Sequence, residues 1–378
     1  MKNLFKLTAV ALSVVAGTAQ AASYATDARG EAMGGVGAVS ATYLTAPFYN
    51  PALTAIYRRN DDAGMLLPSL GLMYDDESQL LDNIDTIVDL DLSNPNNEQE
   101  AEQLLNDLAN AQSKVELGGA VAFGLPNQYI SATVFGKAYS ESFIESVVDT
   151  DPNSTVGERL DNSGVKAVSI GVTEAGISLA KYYTLLGQHV SFGVSPKLQR
   201  IYTYSYAETL DGYDLSDIRD NGQGETMFNM DAGALWFSGP LRIGFSAKNL
   251  VSRDIETKRA TSGNVTVQGA YKLEPQYTLG AGFVMDYASL SVDYDLREEK
   301  KFEGFNDNTQ MLRVGAEVDI MRQLYLRAGY KKNLVGTEQD TVTAGVGFAP
   351  LGLFELDVAA SYTDKNAMGA YVNFLATY

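Results

Sequence analysis

Apolar and polar residues alternate with a period of two along most of this chain. Over 309–319, Leu312, Val314, Ala316 and Val318 fall on one face, and Arg313, Gly315, Glu317 and Asp319 on the other. In 323–332, Leu324, Leu326, Ala328 and Tyr330 oppose Tyr325, Arg327, Gly329 and Lys331. In 353–362, Phe354, Leu356, Val358 and Ala360 oppose Glu355, Asp357 and Ser361, and in 287–296 Leu290, Val292 and Tyr294 oppose Ser291, Asp293 and Asp295. Alternation of this kind is the mark of strands with one apolar face. Strands are expected at 63–73, 115–124, 128–139, 165–183, 189–206, 224–237, 241–251, 269–285, 287–296, 309–319, 323–332, 341–348, 353–363 and 367–378, fourteen in all. The stretch 264–268 is read as loop or as part of a long eighth strand, because both termini on one side require an even number of strands.

The connections alternate too. Tight turns fall at Leu125-Pro126-Asn127, Gly187-Gln188, Ser238-Gly239-Pro240, Met321-Arg322 and Pro350-Leu351-Gly352, all but Met321-Arg322 with Gly, Pro or Asn chemistry. Between them lie longer connections at 74–114, 140–164, 207–223, 252–268, 298–308 and 333–340, and a short one at 364–366. Short turns at one end and long loops at the other are the asymmetry of an outer-membrane barrel. A charge on the lipid face costs on the order of 2–4 kcal/mol at mid-depth for Lys or Arg, so the charged faces point into the lumen. The fold expected is all-β: a transmembrane antiparallel barrel of about fourteen strands. Trp236 falls on its apolar face beside a tight turn, where an interfacial aromatic belongs.

Both ends of the chain agree with export. Lys2 and Lys6, an apolar run from Leu7 to Val15, and Ala19-Gln20-Ala21 read as a signal peptide over 1–21, cleaved after Ala21. That run is too short to span a bilayer as a helix, which takes roughly 20 residues. At the other end Met368, Ala370, Val372, Phe374 and Ala376 alternate up to a terminal Tyr378. That ending resembles the C-terminal signal by which outer-membrane barrels are recognised for insertion.

Composition narrows the chemistry. There is no cysteine, hence no disulfide or thiolate site. The formal charge is −19, and about −21 without Lys2 and Lys6, which excludes a nucleic-acid partner. Tyrosine (22) and glycine (35) are abundant, as an aromatic-girdled barrel needs. The one histidine, His189, falls at a strand end beside a tight turn, away from any base role. No zinc-ligand or calcium-loop spacing is present. No catalytic residues, metal or cofactor are expected. Acidic loops with Asp75, Asp76, Glu77 and Asp82, or Asp211, Asp214 and Asp217, suit bridging cations of lipopolysaccharide.

Within 74–114, residues 98–112 read as a helix with an apolar stripe of Leu104, Leu105 and Leu108 and acids at its N-terminus. A functional lid and a solvated shield are equally open readings of this loop.

Residues 22–57 do not read as strand. A Gly-rich run (Gly34, Gly35, Gly37) is followed by Asn50-Pro51-Ala52-Leu53, and the first strand comes soon after. This pattern resembles the N-terminal hatch of the FadL-type hydrophobic-compound channels, in their TraF-like branch, named for plasmid conjugation. Tyr271-Lys272-Leu273-Glu274-Pro275-Gln276, Gly280-Ala281-Gly282, Ser291-Val292-Asp293-Tyr294 and Leu326-Arg327-Ala328-Gly329-Tyr330 carry the resemblance onward. It implies a signal peptide at 1–21, a hatch or plug at 22–57 inside the lumen, and a barrel over 58–378. It further implies passive uptake of hydrophobic or amphipathic, fatty-acid-like small molecules across the outer membrane of a Gram-negative cell, gated by the hatch. The alternative is a non-transporting component of a conjugation or secretion system. Outer-membrane lipid, lipopolysaccharide and the barrel-insertion machinery are the expected partners, with a hydrophobic small molecule as ligand.

Gly34, Gly35, Gly37, Asn50, Pro51 and Ala52 are the hatch candidates. Lys197, Arg242, Lys248, Asp293, Arg313, Glu317, Arg327 and Lys331 face the lumen by parity, a polar set for a path meant for apolar solutes. Asn50 and Pro51 are expected to hold the hatch against lumen side chains, with Arg313 and Arg327 among the candidate anchors.

Overall fold

The computed structural model describes residues 27–57, 63–76, 78–90, 97–210, 222–336, 339–350 and 353–377. The signal peptide, Glu77, Asp211, Asp214, Asp217 and Tyr378 lie outside the described residues.

The chain enters through a short helix, α1 (Ala28–Ala32), a second, α2 (Ala46–Tyr49), and a 3-10 turn over Pro51–Ala55. The wall then begins with β1 (Gly64–Asp75), β2 (Gln112–Leu125), β3 (Ser131–Val147), β4 (Gly164–Leu185), β5 (Gln188–Thr209), β6 (Gly222–Ser238) and β7 (Leu241–Lys248). Four short strands follow in a loop: β8 (Arg253–Glu256), β9 (Ala260–Ser262), β10 (Val265–Val267) and β11 (Ala270–Leu273). The wall resumes with β12 (Gln276–Val284), β13 (Ala288–Asp295), β14 (Met311–Ile320), β15 (Leu324–Asn333), β16 (Thr341–Phe348), β17 (Phe354–Asp364) and β18 (Ala367–Thr377). β1 pairs with both β2 and β18, so the fourteen wall strands close into one antiparallel barrel. Closure leaves no unpaired edge, as hydrocarbon demands.

Apolar side chains on the outer face are exposed around the wall: Leu70, Phe123, Val134, Phe192, Phe228, Ile243, Leu279, Leu290, Val318, Leu326, Val346, Val358 and Val372. Phe374, on the same face as Val372, stacks on Phe354 of the neighbouring strand at 5.6 Å. Trp236 donates its indole N–H to Gln188 beside the tight turn.

Three sequence expectations are corrected. The eighth wall strand starts at Gln276, not at 269: Ala270–Leu273 pairs with Arg253–Glu256 in a loop sheet, and Val265–Val267 pairs with Ala260–Ser262 in another. The seventh ends at Lys248 rather than 251. The third continues to Val147, well past 139.

That extension matters. β4 and β5 run 22 residues each, against 8 for β13 and β16, and about 9–11 suffice to cross the bilayer. One side of the wall therefore projects far beyond the lipid belt. Its inner face (Tyr139, Phe143, Val168, Ile170, Val172, Ile201) is covered by Ile255, Val265, Val267, Tyr271, Leu273, Phe302 and Phe305, from the loops that precede and follow β12–β13. Its outer face (Val115, Ile144, Val165, Ala167, Tyr206) is covered by α3 (Leu80–Val88) and α4 (Glu98–Leu108), through Leu80, Ile84, Ile87, Leu105 and Leu108. A third helix, α5 (Val156–Asn162), packs beside α4. The 74–114 loop is thus an outer buttress and does not lie over the lumen. Its second helix spans 98–108 with Ala101, Leu105 and Leu108 buried, and Leu104 only partly so. The stretch over 80–88, expected as loop, is a further helix. Asp76 is no open cation ligand: it is buried and accepts from the Leu80 N–H and the Tyr74 hydroxyl, both at 2.9 Å.

Candidate functional site in the barrel lumen

Residues 27–57 lie inside the barrel, most of them buried. Their backbone closes several short turns of its own, such as Gly35 N–H to the Gly30 carbonyl at 2.7 Å and Ala46 N–H to that of Thr42 at 2.8 Å, and the groups these turns leave over need partners from the wall. Small polar side chains of the inner face supply them. Asn373 accepts from the Ala28 N–H at 2.6 Å. Thr343 accepts from Gly34 N–H and donates to the Ala32 carbonyl, both at 2.9 Å. Thr133 donates to the Tyr43 carbonyl, Ser246 to that of Tyr49 and Ser191 to that of Ala52, at 3.0, 2.5 and 2.7 Å.

Inner-face glycines let the backbone come this close. A Cβ on Gly315 would stand 2.2 Å from the Met33 carbonyl oxygen, one on Gly329 2.1 Å from the Gly34 nitrogen, and one on Gly345 2.5 Å from the Ala32 Cβ. On the opposite wall, Gly193 meets Pro51, Gly233 meets Asn50 and Gly244 meets Ala38 in the same way. Gly34 (φ 73) and Gly35 (φ 79) take the left-handed backbone that glycine adopts without strain. Gly37 lies against the Tyr49 ring.

The eight lumen candidates all face inward, and each has a defined partner. Lys197 lies between Asp231 at 2.8 Å and Glu174 at 3.2 Å. Arg242 donates to the Val39 carbonyl at 3.0 Å. Lys248 sits 5.7 Å from the centre of the Tyr49 ring. One carboxylate oxygen of Asp293 accepts from both Gly37 and Ala38 N–H, at 2.8 and 2.9 Å. Arg313 grips Asp295 through two nitrogens, at 2.9 and 2.8 Å. Glu317 receives Arg29 at two points and Arg327 at 2.6 Å, and Arg327 continues to Glu355 and Asp357. Lys331 pairs with Glu31.

Asn50 is anchored differently from expectation. Its amide donates to the carbonyls of Ala38 at 2.8 Å and Ala234 at 3.2 Å, and its oxygen accepts from Ala52 N–H. Arg313 and Arg327 do not touch it; they serve Asp295 and the Glu317–Glu355–Asp357 acids. The sequence reading missed Arg29 and Glu31, the two charges of α1 that reach the wall, and the inward Ser, Thr, Asn and Gly positions that hold the backbone. Their only sequence signal is inward parity combined with small size.

Two cavities flank the segment. Towards the long loops lies one of about 90 Å³, bordered by Glu31, Gly35, Met73, Met311, Lys331 and Thr341 among others. Towards the tight turns lies one of about 510 Å³, bordered by Arg29, Tyr43, Arg242, Tyr325, Arg327 and Leu375 among others. His189 is far from both in kind. It forms a three-ring cluster with Tyr182 and Phe237 and is bonded to the Tyr182 hydroxyl, beside the β4–β5 turn.

Residues 47–295 match the family model described as the F plasmid transfer operon protein TraF. The chain belongs to the TraF family. The match runs from α2 of the lumen segment to the end of β13, so in this TraF-family chain it includes Asn50, Lys197, Arg242, Lys248 and Asp293. None of the curated proteins compared matches the chain. Solved structures share its fold. The toluene transporter TbuX of Ralstonia pickettii aligns with a TM-score of 0.53 at 14% identity, covering 93% of this chain and 97% of TbuX. A Pseudomonas aeruginosa FadL homologue gives 0.55 at 11%, covering 93% and 98%. A deletion mutant of the monoaromatic hydrocarbon channel TodX gives 0.56 at 11%, covering 94% and 97%. The barrel of this TraF-family chain is therefore FadL-like from end to end.

Proposed function

We propose that this protein is an outer-membrane channel for passive entry of hydrophobic or amphipathic small molecules, with the lumen segment as its gate. One observation carries the reading: residues 27–57 stand between two lumen cavities, held by side chains and not by a continuous sheet. Such a segment can shift without breaking the wall, because the barrel's own ladder closes without it. Export through a cleaved signal and insertion through the last strand complete the proposal, as does a hatch bounded at about 22–57. The FadL-like fold supports the solute class by analogy.

A second reading is a non-transporting part of a conjugation or secretion system. Two observations favour it: the family's description and the dense ion pairing of the lumen. Uptake of labelled toluene and of a labelled fatty acid, in cells with and without the gene, separates the two. Faster uptake with the gene supports the channel. Equal uptake, with the barrel present in the outer membrane, rejects it in favour of the second reading.

A further inference from the structure

The outer face of β5 changes character at one residue. Its outward side chains Val190, Phe192, Val194 and Leu198 are apolar, and they run beside the stretch from Trp236 to Phe228 on β6, with Val190 opposite Trp236 and Leu198 opposite Phe228. Each stretch has the length of about 9–11 residues that crosses a bilayer. Two residues past Leu198 the next outward position on β5 is Arg200, and Thr226 stands opposite it on β6. Both are exposed. The lipid belt therefore ends between Leu198 and Arg200, which puts Arg200 at head-group level on the long-loop side. Beyond it Tyr202, Tyr204 and Tyr206 climb the projecting wall, Tyr204 partly buried and Tyr206 buried against the helical buttress.

Arg200 is a cation kept clear of acids. Its neighbours across β4 and β6 are Thr173 and Thr226. Its guanidinium lies 4.9 Å from the centre of the Tyr202 ring. That ring in turn lies against Gly224, where a Cβ would stand 2.7 Å from it. Arg200 forms no ion pair among the described residues. Lys332, an outward cation at the same end of β15, is by contrast held by Asp340 at 3.1 Å. In a chain of formal charge −19 the acids outnumber the cations, so an exposed arginine without one is open to an anion from outside.

We infer that Arg200, with Tyr202 and Thr226 beside it, docks the phosphate of a phosphorylated glycolipid of the outer leaflet, the lipid A part of lipopolysaccharide, whose acyl chains lie along Leu198 and Phe228. A guanidinium offers phosphate oxygens two parallel charge-assisted bonds, and a threonine hydroxyl adds a donor. A zwitterionic head group carries an ammonium that the guanidinium repels, so an anionic one is preferred. The phosphate arrives on acyl chains because the surface directly below Arg200 is the one those chains cover. The inference rests on the outer-membrane placement in the proposed function and not on solute passage.

Native mass spectrometry of the detergent-solubilised full chain, titrated with lipid A, with phosphatidylcholine and with inorganic phosphate, tests the site. Lipid A should give a saturable adduct at least tenfold tighter than phosphatidylcholine, and inorganic phosphate should neither bind nor displace it. Arg200→Gln should weaken lipid A at least tenfold, and Arg200→Lys, which keeps the charge without the fork, should weaken it less. Lys365→Gln removes another exposed cation at the long-loop end and should leave binding unchanged. Gel mobility of unboiled protein confirms that each variant is a folded barrel. Lipid A binding unchanged by Arg200→Gln, or weakened as much by Lys365→Gln, overturns the site. Displacement of lipid A by inorganic phosphate overturns the lipid assignment. Fractionation of cells is read separately, so a chain outside the outer membrane and a failed lipid site give different results.

Discussion

Arg29 and Glu317, 288 positions apart in sequence, meet inside the barrel in a two-point ion pair with both N···O distances at 2.8 Å. Arg327 reaches the same carboxylate from the neighbouring strand. Glu317 thus ties α1 of the lumen segment to β14 and β15 at once.

Removing one partner of such a pair leaves the other charge enclosed, at a cost of about 3–5 kcal/mol, whereas replacing both by apolar groups is often near neutral. Arg29→Ala should therefore loosen the segment by roughly 3 kcal/mol, and Arg29→Met with Glu317→Leu by clearly less. Hydrogen exchange of the amides over 28–40 checks this. Protection should fall there and stay unchanged in the wall strands away from β14 and β15.

The inner-face glycines give a second handle. Gly315→Val places side-chain atoms where the Met33 carbonyl stands, so α1 must move. The outer face of β14 is untouched and insertion should proceed normally. Single-channel conductance in planar bilayers should rise several-fold. Gly157→Ala, where nothing lies within 4 Å, is the matched control and should leave conductance alone.

The alternation on the lipid face made the barrel legible in the sequence, because hydrocarbon tolerates nothing else there. Where the outer face meets protein instead, the signal fades. Ser140 and Ser142 on the projecting part of β3 are buried yet polar, so that part read as loop. Ala270–Leu273 alternates like a wall strand but pairs with Arg253–Glu256, and local pattern carries no record of which partner a strand finds. The same limit applied to the site. Parity puts Arg313, Glu317, Arg327 and Lys331 on the inner face, but the pairing of Arg29 with Glu317 and of Glu31 with Lys331 depends on contacts some 300 positions apart. Asn50 was singled out with the wrong anchor for the same reason.

The outer buttress should be separable from transport. Leu105 is fully buried between α4 and the outer face of the projecting wall. Leu105→Ala should cost about 2–5 kcal/mol locally and expose the 76–111 connection to added protease. Toluene uptake should be unchanged. A loss of uptake would mean that this loop acts on the lumen after all.

The loop over 298–308 should respond to pH. Asp307 is buried and accepts from the N–H groups of Lys301 and Phe302 at 3.1 and 2.8 Å. Burial pushes its carboxyl up to about 6, against those bonds and the Lys301 charge. Between the ordinary carboxylate value and 6 the folded loop therefore holds more protons than the open one, so its stability grows as pH falls through that window. The protection factor of the Phe302 amide should rise between about pH 7.5 and about pH 5. Asp307→Asn, which keeps an acceptor without the charge, should flatten that rise.

The gate itself is tested most directly by a covalent lock. The chain has no cysteine of its own, and a Cβ on Gly345 would lie 2.5 Å from that of Ala32, within a small adjustment of disulfide reach. The double variant Ala32→Cys with Gly345→Cys is reconstituted in liposomes, and toluene permeation is followed before and after a reductant. Permeation should be blocked while the disulfide is closed and restored when it is opened, to the rate of the cysteine-free chain. Equal permeation in both states, with the disulfide verified by mass, would contradict a gate formed by the lumen segment.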